Sequence, residues 1–296
     1  MKASHKRILK KIFSNKAKKV NRSKTGNLFI FIVLLVFGLY SALPLILAVL
    51  QSIKPLNELF LYPPRFWVES PTVDNYFSLV DLMTTSWVPF SRYTFNTILI
   101  SVVGTVGHII IAAMCAYPLA KNKVPGEKII FGIIVYSLMI QPTVADIANY
   151  QTMASLNFLD SYWAVIIPAF GSSLGLYIMK NFISVLPDSI LEAARIDGAG
   201  EFKIFWRIVM PNAKPGWLTL AIFSFQGLWN GTNSTYIYSE ELKTLPYALN
   251  QIIAGGITRA GAGAAVAVVM MIVPIIFFIL TQSNIMETMA SSGMKD

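Results

Sequence analysis

Runs of about 20 consecutive apolar residues recur along this chain, each long enough to cross a hydrocarbon core roughly 30 Å thick. Six can be counted, over about 27–50, 96–120, 128–150, 162–183, 216–238 and 262–284. Between them the charges are confined to short intervals, and only 13% of the residues are charged against 55% hydrophobic. A soluble domain of this length would spread its charges over a surface, so the pattern predicts an all-α integral membrane protein with six transmembrane helices. The fifth run is the most polar, holding Gln226, Asn230 and Asn233.

Lys and Arg accumulate in loops that stay in the cytoplasm, and here they set the orientation. Residues 1–26 carry Lys2, Lys6, Arg7, Lys10, Lys11, Lys16, Lys18, Lys19, Arg22 and Lys24 with no acidic residue. The loop after the second run adds Lys121, Lys123 and Lys128, and the loop after the fourth adds Arg195, Lys203, Arg207 and Lys214. The loops assigned outside hold only Lys54, Arg65, Arg92, Lys243 and Arg259. Both termini are therefore expected in the cytoplasm, with a basic N-terminal tail over 1–26, a membrane domain over 27–290, a cytoplasmic loop over 184–214 and a short C-terminal tail over 291–296.

That topology also accounts for the net charge of +9. A basic tail before a first span meets anionic headgroups, so membrane lipid is an expected contact and nucleic acid is not. The following apolar run is too long for a signal peptide and lacks a small-residue cleavage site, so the first span is expected to be retained. Cys115 stands alone and the two histidines, His5 and His108, have no ligand-spaced partners, so no metal site is expected. The Gly-x-x-x-x-Gly-Lys-Ser/Thr loop that cradles nucleotide phosphates is absent, so the chain is expected to be no enzyme and to draw any energy from elsewhere.

The 184–214 loop reads as two short helices with a break. Pro187 and Asp188 open the first, Ser189 and Glu192 have capping-box spacing, and Leu191, Ala193 and Ala194 are good helix formers. Gly198 and Gly200 end it. The second starts near Glu201, places Phe202, Phe205, Trp206 and Val209 on one stripe, and is expected to stop before Pro211. Such a hook suits insertion into a partner's groove. The same residues could instead lie on the protein's own spans, with Glu192 a capping acid and Gly198 a terminator, and the pattern alone leaves both readings open.

Glu192, Ala193, Ala194, Gly198, Ile208 and Pro211 together resemble the EAA loop of bacterial ABC importer permeases, with Met210 where leucine is usual. The resemblance covers nearly all the chain from about residue 27 and is strongest to the maltose-type carbohydrate-uptake permeases. The outer segment 51–95, the Asn96-Thr97 start of the second span, the Ala116-Tyr117-Pro118-Leu119-Ala120 stretch and the Pro125-Gly126 turn are similar to theirs. It implies a type I ABC importer permease fold in which Glu192, Ala193, Ala194, Gly198, Phe202, Ile208 and Pro211 form the ATPase-coupling loop. It further implies a second homologous permease, an ABC ATPase dimer that uses ATP and Mg, and an extracellular solute-binding protein. No cofactor would be bound by this chain, and the cargo would be a sugar, an oligosaccharide in particular.

Polar residues within spans are costly and mark candidate pathways. Gln141 and Asp146 in the third run, with Gln226, Trp229, Asn230 and Asn233 in the fifth, offer the amides and the aromatic face that sugar hydroxyls want. The same amides could simply join helices, at about 0.6 to 2 kcal/mol per contact. A competing reading is an ion-coupled secondary transporter with Asp146 as its proton carrier. Another keeps the importer and changes the cargo to a peptide, amino acid or osmolyte.

Overall fold

The computed structural model describes residues 24–84, 87–122, 124–140 and 142–292. The basic tail lies outside them except for residues 24–26, as do Gln141 and the last four residues of the C-terminal tail. Every regular element among the described residues is helical.

The chain divides into two units, Met1–Val49 and Leu50–Asp296. The first contributes most of α1 (Lys24–Ser52), whose side chains from 25 to 41 are exposed. The second holds α2 (Leu56–Leu59), α3 (Asp74–Thr84), α4 (Phe90–Lys121), α5 (Glu127–Ser137), α6 (Pro142–Ser155), α7 (Trp163–Phe170) and α8 (Ser173–Ser184). These are followed by α9 (Asp188–Ile196), α10 (Glu201–Ile204), a π turn (Phe205–Val209), α11 (Met210–Asn212), α12 (Lys214–Asn230), α13 (Leu245–Ile253) and α14 (Ala260–Ser292).

Among the described residues, four helical segments are long and apolar enough to cross a bilayer, namely Thr25–Ser52, Phe90–Lys121, Trp163–Ser184 and Ile257–Gln282. The other two apolar runs take a different form. The 128–150 run is interrupted: α5 ends at Ser137 and α6 begins at Pro142, a residue that lacks an N–H and disfavours helix in the residue before it. The 216–238 run is helical only to Asn230, so α12 has 17 residues and spans about 25 Å. Residues 171–172 also separate α7 from α8 inside the fourth run.

Helix α4 is the axis of the second unit. Helices α7, α8 and α12 pack along it, and α12 in turn packs on α14, which carries α3 and α13. Small residues make this close approach possible, among them Ala112, Ala113 and Ala116, which are buried with Met179 and Ile183. A methyl group at Gly107 would overlap the Phe170 ring, and one at Gly104 would meet Leu228 Cδ1 at 2.5 Å. His108 is buried within the same helix and its Nδ1 lies 3.1 Å from Ser224 Oγ on α12.

One end of α4 is locked to the chain between α12 and α13. Asn96 donates to the carbonyls of Glu241 and Lys243, both at 2.8 Å, and accepts from the Tyr162 hydroxyl at 2.7 Å. Thr97 Oγ1 accepts from the Leu245 N–H at 2.7 Å. Asn96, Thr97 and Thr244 are 0% exposed, so backbone groups that would otherwise be buried without partners are satisfied there. Although Asn96 looked like the start of a span, α4 begins earlier, at Phe90, where Pro89 precedes its first turn.

Candidate functional site

The other end of α4 carries the 184–214 segment. Helix α9 starts at Asp188 with Pro187 at its N-cap and no side-chain cap. The expected Ser189 and Glu192 capping box is therefore not formed, because Ser189 already lies inside the first turn. Asp188 is drawn instead to Lys121, whose Nζ donates to its Oδ1 at 2.8 Å, to the Ser184 carbonyl at 3.1 Å and to the Leu186 carbonyl. Lys121 thus supplies the last carbonyls of α8 with the donor that a helix end lacks.

Helix α9 ends as expected at Gly198, whose φ is +77°. The Ala199 N–H bonds the Ala194 carbonyl and the Gly198 N–H bonds the Arg195 carbonyl, both at 3.0 Å. That pair of bonds is a Schellman cap, which requires a left-handed residue where glycine alone avoids a Cβ penalty.

The second helix of the hook departs from expectation at two places. Ile204, Phe205 and Val209 are buried, whereas Phe202 is 73% exposed and Trp206 sits at the surface, so the aromatic residues divide between two faces. Helical structure also continues through Pro211 to Asn212. The π turn explains this: Met210 N–H bonds the Phe205 carbonyl five residues back, and the widened turn relieves the clash between a proline ring and the preceding turn.

Leu191, Ile204, Phe205, Val209 and Ala213 pack into one cluster with Ala112, Ala113, Ala116 and Tyr117 of α4, Met179 and Ile183 of α8, and Leu220 of α12. Ala194 and Ile208 are partly buried against it. Burying each large aliphatic side chain is worth about 1.5–3 kcal/mol. The apolar contacts therefore hold the hook in place, and the polar ones orient it.

The main orienting group is Glu201. Its Oε2 accepts from the Tyr117 hydroxyl at 2.7 Å and its Oε1 from Arg195 Nε at 2.8 Å. The bond from Arg195, then that from Tyr117, hold the Glu201 carboxyl below the usual carboxylate range. Glu201 and Arg195 side chains are 56% and 39% exposed, so solvent screens the pair and its contribution to stability is about 0–1 kcal/mol. Glu201 was not singled out from sequence, since its partner Tyr117 lies 84 residues away.

The remaining face of α9 is free of this packing. Glu192, Ala193 and Ile196 are exposed, Ile196 by 86%, and Gly198, Phe202 and Pro211 are exposed beside them. The structure thus brings Glu192, Ala193, Ala194, Gly198, Phe202, Ile208 and Pro211 into one hook, with its inner edge on α4 and its outer edge open.

The pathway candidates are not gathered in one place. Gln226 and Asn230 are exposed one turn apart on α12, with Phe223 and Gly227 on the same face. Trp229 is instead buried, stacked on Phe225 at 5.8 Å and donating its indole N–H to the Met270 carbonyl of α14 at 3.3 Å. Asn233 is beyond the helix with φ +55°, and its amide donates to the Gly231 carbonyl at 3.2 Å, the geometry of a local turn. Asp146 is exposed on α6, and Gln141 lies outside the described residues.

The family described as binding-protein-dependent transport system inner membrane component matches residues 20–288. Protein LplC of Bacillus subtilis (strain 168) is 32% identical over 235 residues, covering 77% of this chain and 76% of that protein. The polygalacturonan/rhamnogalacturonan transport system permease protein YtcP of the same organism is 26% identical over 261 residues, covering 82% and 85%. Among solved structures, a chain of a bacterial ABC transporter involved in the import of the acidic polysaccharide alginate superposes with a TM-score of 0.71. It is 22% identical, over 90% of this chain and 99% of that one.

Proposed function

The chain belongs to the binding-protein-dependent transport system inner membrane components, and from that membership we propose that it is the permease subunit of an ATP-binding-cassette importer carrying an oligosaccharide inward. The hook over 184–214 faces the cytoplasm and docks in a cleft on a separate ATPase, whose closure it transmits to the spans. A second permease completes the translocation path, and an extracellular binding protein delivers the sugar. ATP and Mg are used by the ATPase, and this chain binds neither.

One observation carries the reading: α9 buries Leu191 against α4 while its Glu192, Ala193 and Ile196 edge stays open. A short helix held rigidly on one side and left uncovered on the other is what insertion into a groove requires. The sugar cargo is supported by the polysaccharide transport named for YtcP and by the alginate transporter that shares this fold. Gln226 and Asn230, on the exposed face of α12, are the pathway residues best placed to meet sugar hydroxyls, and Trp229 supports that helix from behind.

The test is affinity purification of the tagged chain from its native membrane in mild detergent, with mass spectrometry of what stays bound, followed by reconstitution of the recovered complex in vesicles. Recovery of a second permease and an ABC ATPase, with oligosaccharide uptake that needs ATP and survives a protonophore, is the expected result. A chain recovered alone, with uptake that collapses with the proton gradient, would identify an ion-coupled transporter instead.

A further inference from the structure

Tyr117 and Lys121 are four residues apart, so they lie on one face of the last turns of α4. They grip opposite ends of α9. Lys121 holds the entry, through the carbonyls of Ser184 and Leu186 and the carboxylate of Asp188. Tyr117 holds the exit indirectly: its hydroxyl donates to Glu201, and the other oxygen of Glu201 accepts from Arg195 in the last turn of α9. Glu201 is itself the first residue of α10, so one carboxylate joins three elements.

We propose that Glu201 is a positioning residue which, paired with Lys121, fixes both ends of the docking helix to a single face of α4, so that a displacement of α9 reaches that helix directly. The inference rests on the ATPase-docking role given above and adds to it the route by which movement enters the membrane domain. Gly198 and Gly200 make the chain between α9 and α10 able to flex. Without a link across that joint, a push on α9 would be absorbed at the joint. The Arg195 to Glu201 bond spans it, and the Tyr117 bond fastens the spanned joint to α4. Lys121 alone would leave α9 with a polar anchor at one end only, and the angle of its other end would rest on the packing of Leu191 and Ala194.

The Arg195 and Glu201 members of the strut are exposed and Tyr117→Phe keeps the buried ring, so loss of the link should alter coupling more than folding. Tyr117→Phe removes the hydroxyl and keeps the ring, which packs 6.0 Å from Phe205. Glu201→Ala removes the link from the other side. The experiment uses the full complex with its ATPase, second permease and binding protein, reconstituted in vesicles, and reads sugar taken up per ATP hydrolysed beside the amount of complex recovered. Each variant is expected to lower uptake per ATP by about threefold or more at normal recovery. The double variant should be no worse than the poorer single, because both cut one strut. Tyr117→Phe with Lys121→Met, which cuts both struts, should fall below either alone.

An unchanged ratio in Tyr117→Phe and Glu201→Ala overturns the proposal, as do losses that simply multiply in the double variant. Should Glu201→Ala fail to assemble, the milder Tyr117→Phe decides by the same ratio. A wild-type complex that shows no ATP-dependent uptake would sink the docking reading and this inference together. A competent wild type with indifferent variants would sink this inference alone.

Discussion

At one end of α4, Asn96 and Thr97 bond backbone groups of the 240–245 segment through neutral side chains that are 0% exposed. At the other, Tyr117 and Lys121 reach carboxylates of Glu201 and Asp188 that are 56% and 72% exposed. In the first arrangement the Asn96 and Thr97 side chains are fully enclosed, so a substitution there leaves groups that water reaches poorly. At the second end the donors are buried too, Tyr117 and the Lys121 side chain being 6% exposed, but the carboxylates they reach lie in water and exchange partners more easily. One helix is therefore clamped at one end and adjustable at the other, and the adjustable end is the one that carries the open hook.

Asn96→Leu tests the clamp and should have the largest effect on stability. It strands the carbonyls of Glu241 and Lys243 and the hydroxyl of Tyr162, at a cost of about 3 kcal/mol or more. The thermal unfolding midpoint in detergent should fall clearly, and a midpoint equal to wild type would remove the contrast between the two ends. Gly198→Pro acts at the adjustable end. It abolishes a residue with φ +77° and a donated N–H, locally costing about 3 kcal/mol. ATP-driven uptake should drop more than about tenfold while the unfolding midpoint moves less than for Asn96→Leu.

Glu192→Lys leaves all packing in place because the side chain is exposed. It should weaken co-purification of the ATPase and separate hydrolysis from uptake, with membrane insertion as in wild type. Full coupling in this variant would show that the open edge of α9 is not the docking surface. The smallest effect is that of pH. Glu201 has its carboxyl held below the usual range by Arg195 and Tyr117, so the strut is fully present above the ordinary Glu value of about 4.3 and is lost as pH falls through the lower folded value. Uptake per ATP should be flat from about pH 6 to 8, and a marked decline within that window would show that another group governs the hook.

The hook was legible where its causes are local. Glu192, Ala193 and Ala194 form helix by propensity, and Gly198 terminates it by the backbone angle that only its neighbours demand. It was not legible where the cause is distant. Pro187 and Asp188 open α9 as read, but the Ser189 and Glu192 capping box does not form, and the partner that Asp188 meets instead, Lys121, lies 67 residues earlier. Phe202 and Phe205 part company because they fall on either side of the boundary of the face that packs on α4, and residue spacing alone does not say where that distant helix will cover the hook. The same holds along the membrane domain. Apolar length located α4 and α14, yet Trp229 was grouped with Gln226 and Asn230 because polarity was read without its helical face. On α12 Trp229 is buried in the packing against α14, whereas the two amides are exposed, Gln226 at the edge of a cavity shared with Pro274 and Phe277 of α14.

The π turn at Phe205–Val209 acts as a phase-setter for everything after it. Its five-residue hydrogen-bond ring holds one residue more than an ordinary turn, and removing a single residue there would rotate the chain from Met210 onward by about 100° relative to α10. Val209 and Ala213 would leave the cluster on α4, and α12 would carry Gln226 and Asn230 turned away from the direction they now face. The length of this segment is thus quantised: single-residue insertions or deletions break the alignment between hook and membrane helix, even where every side chain that remains is unchanged.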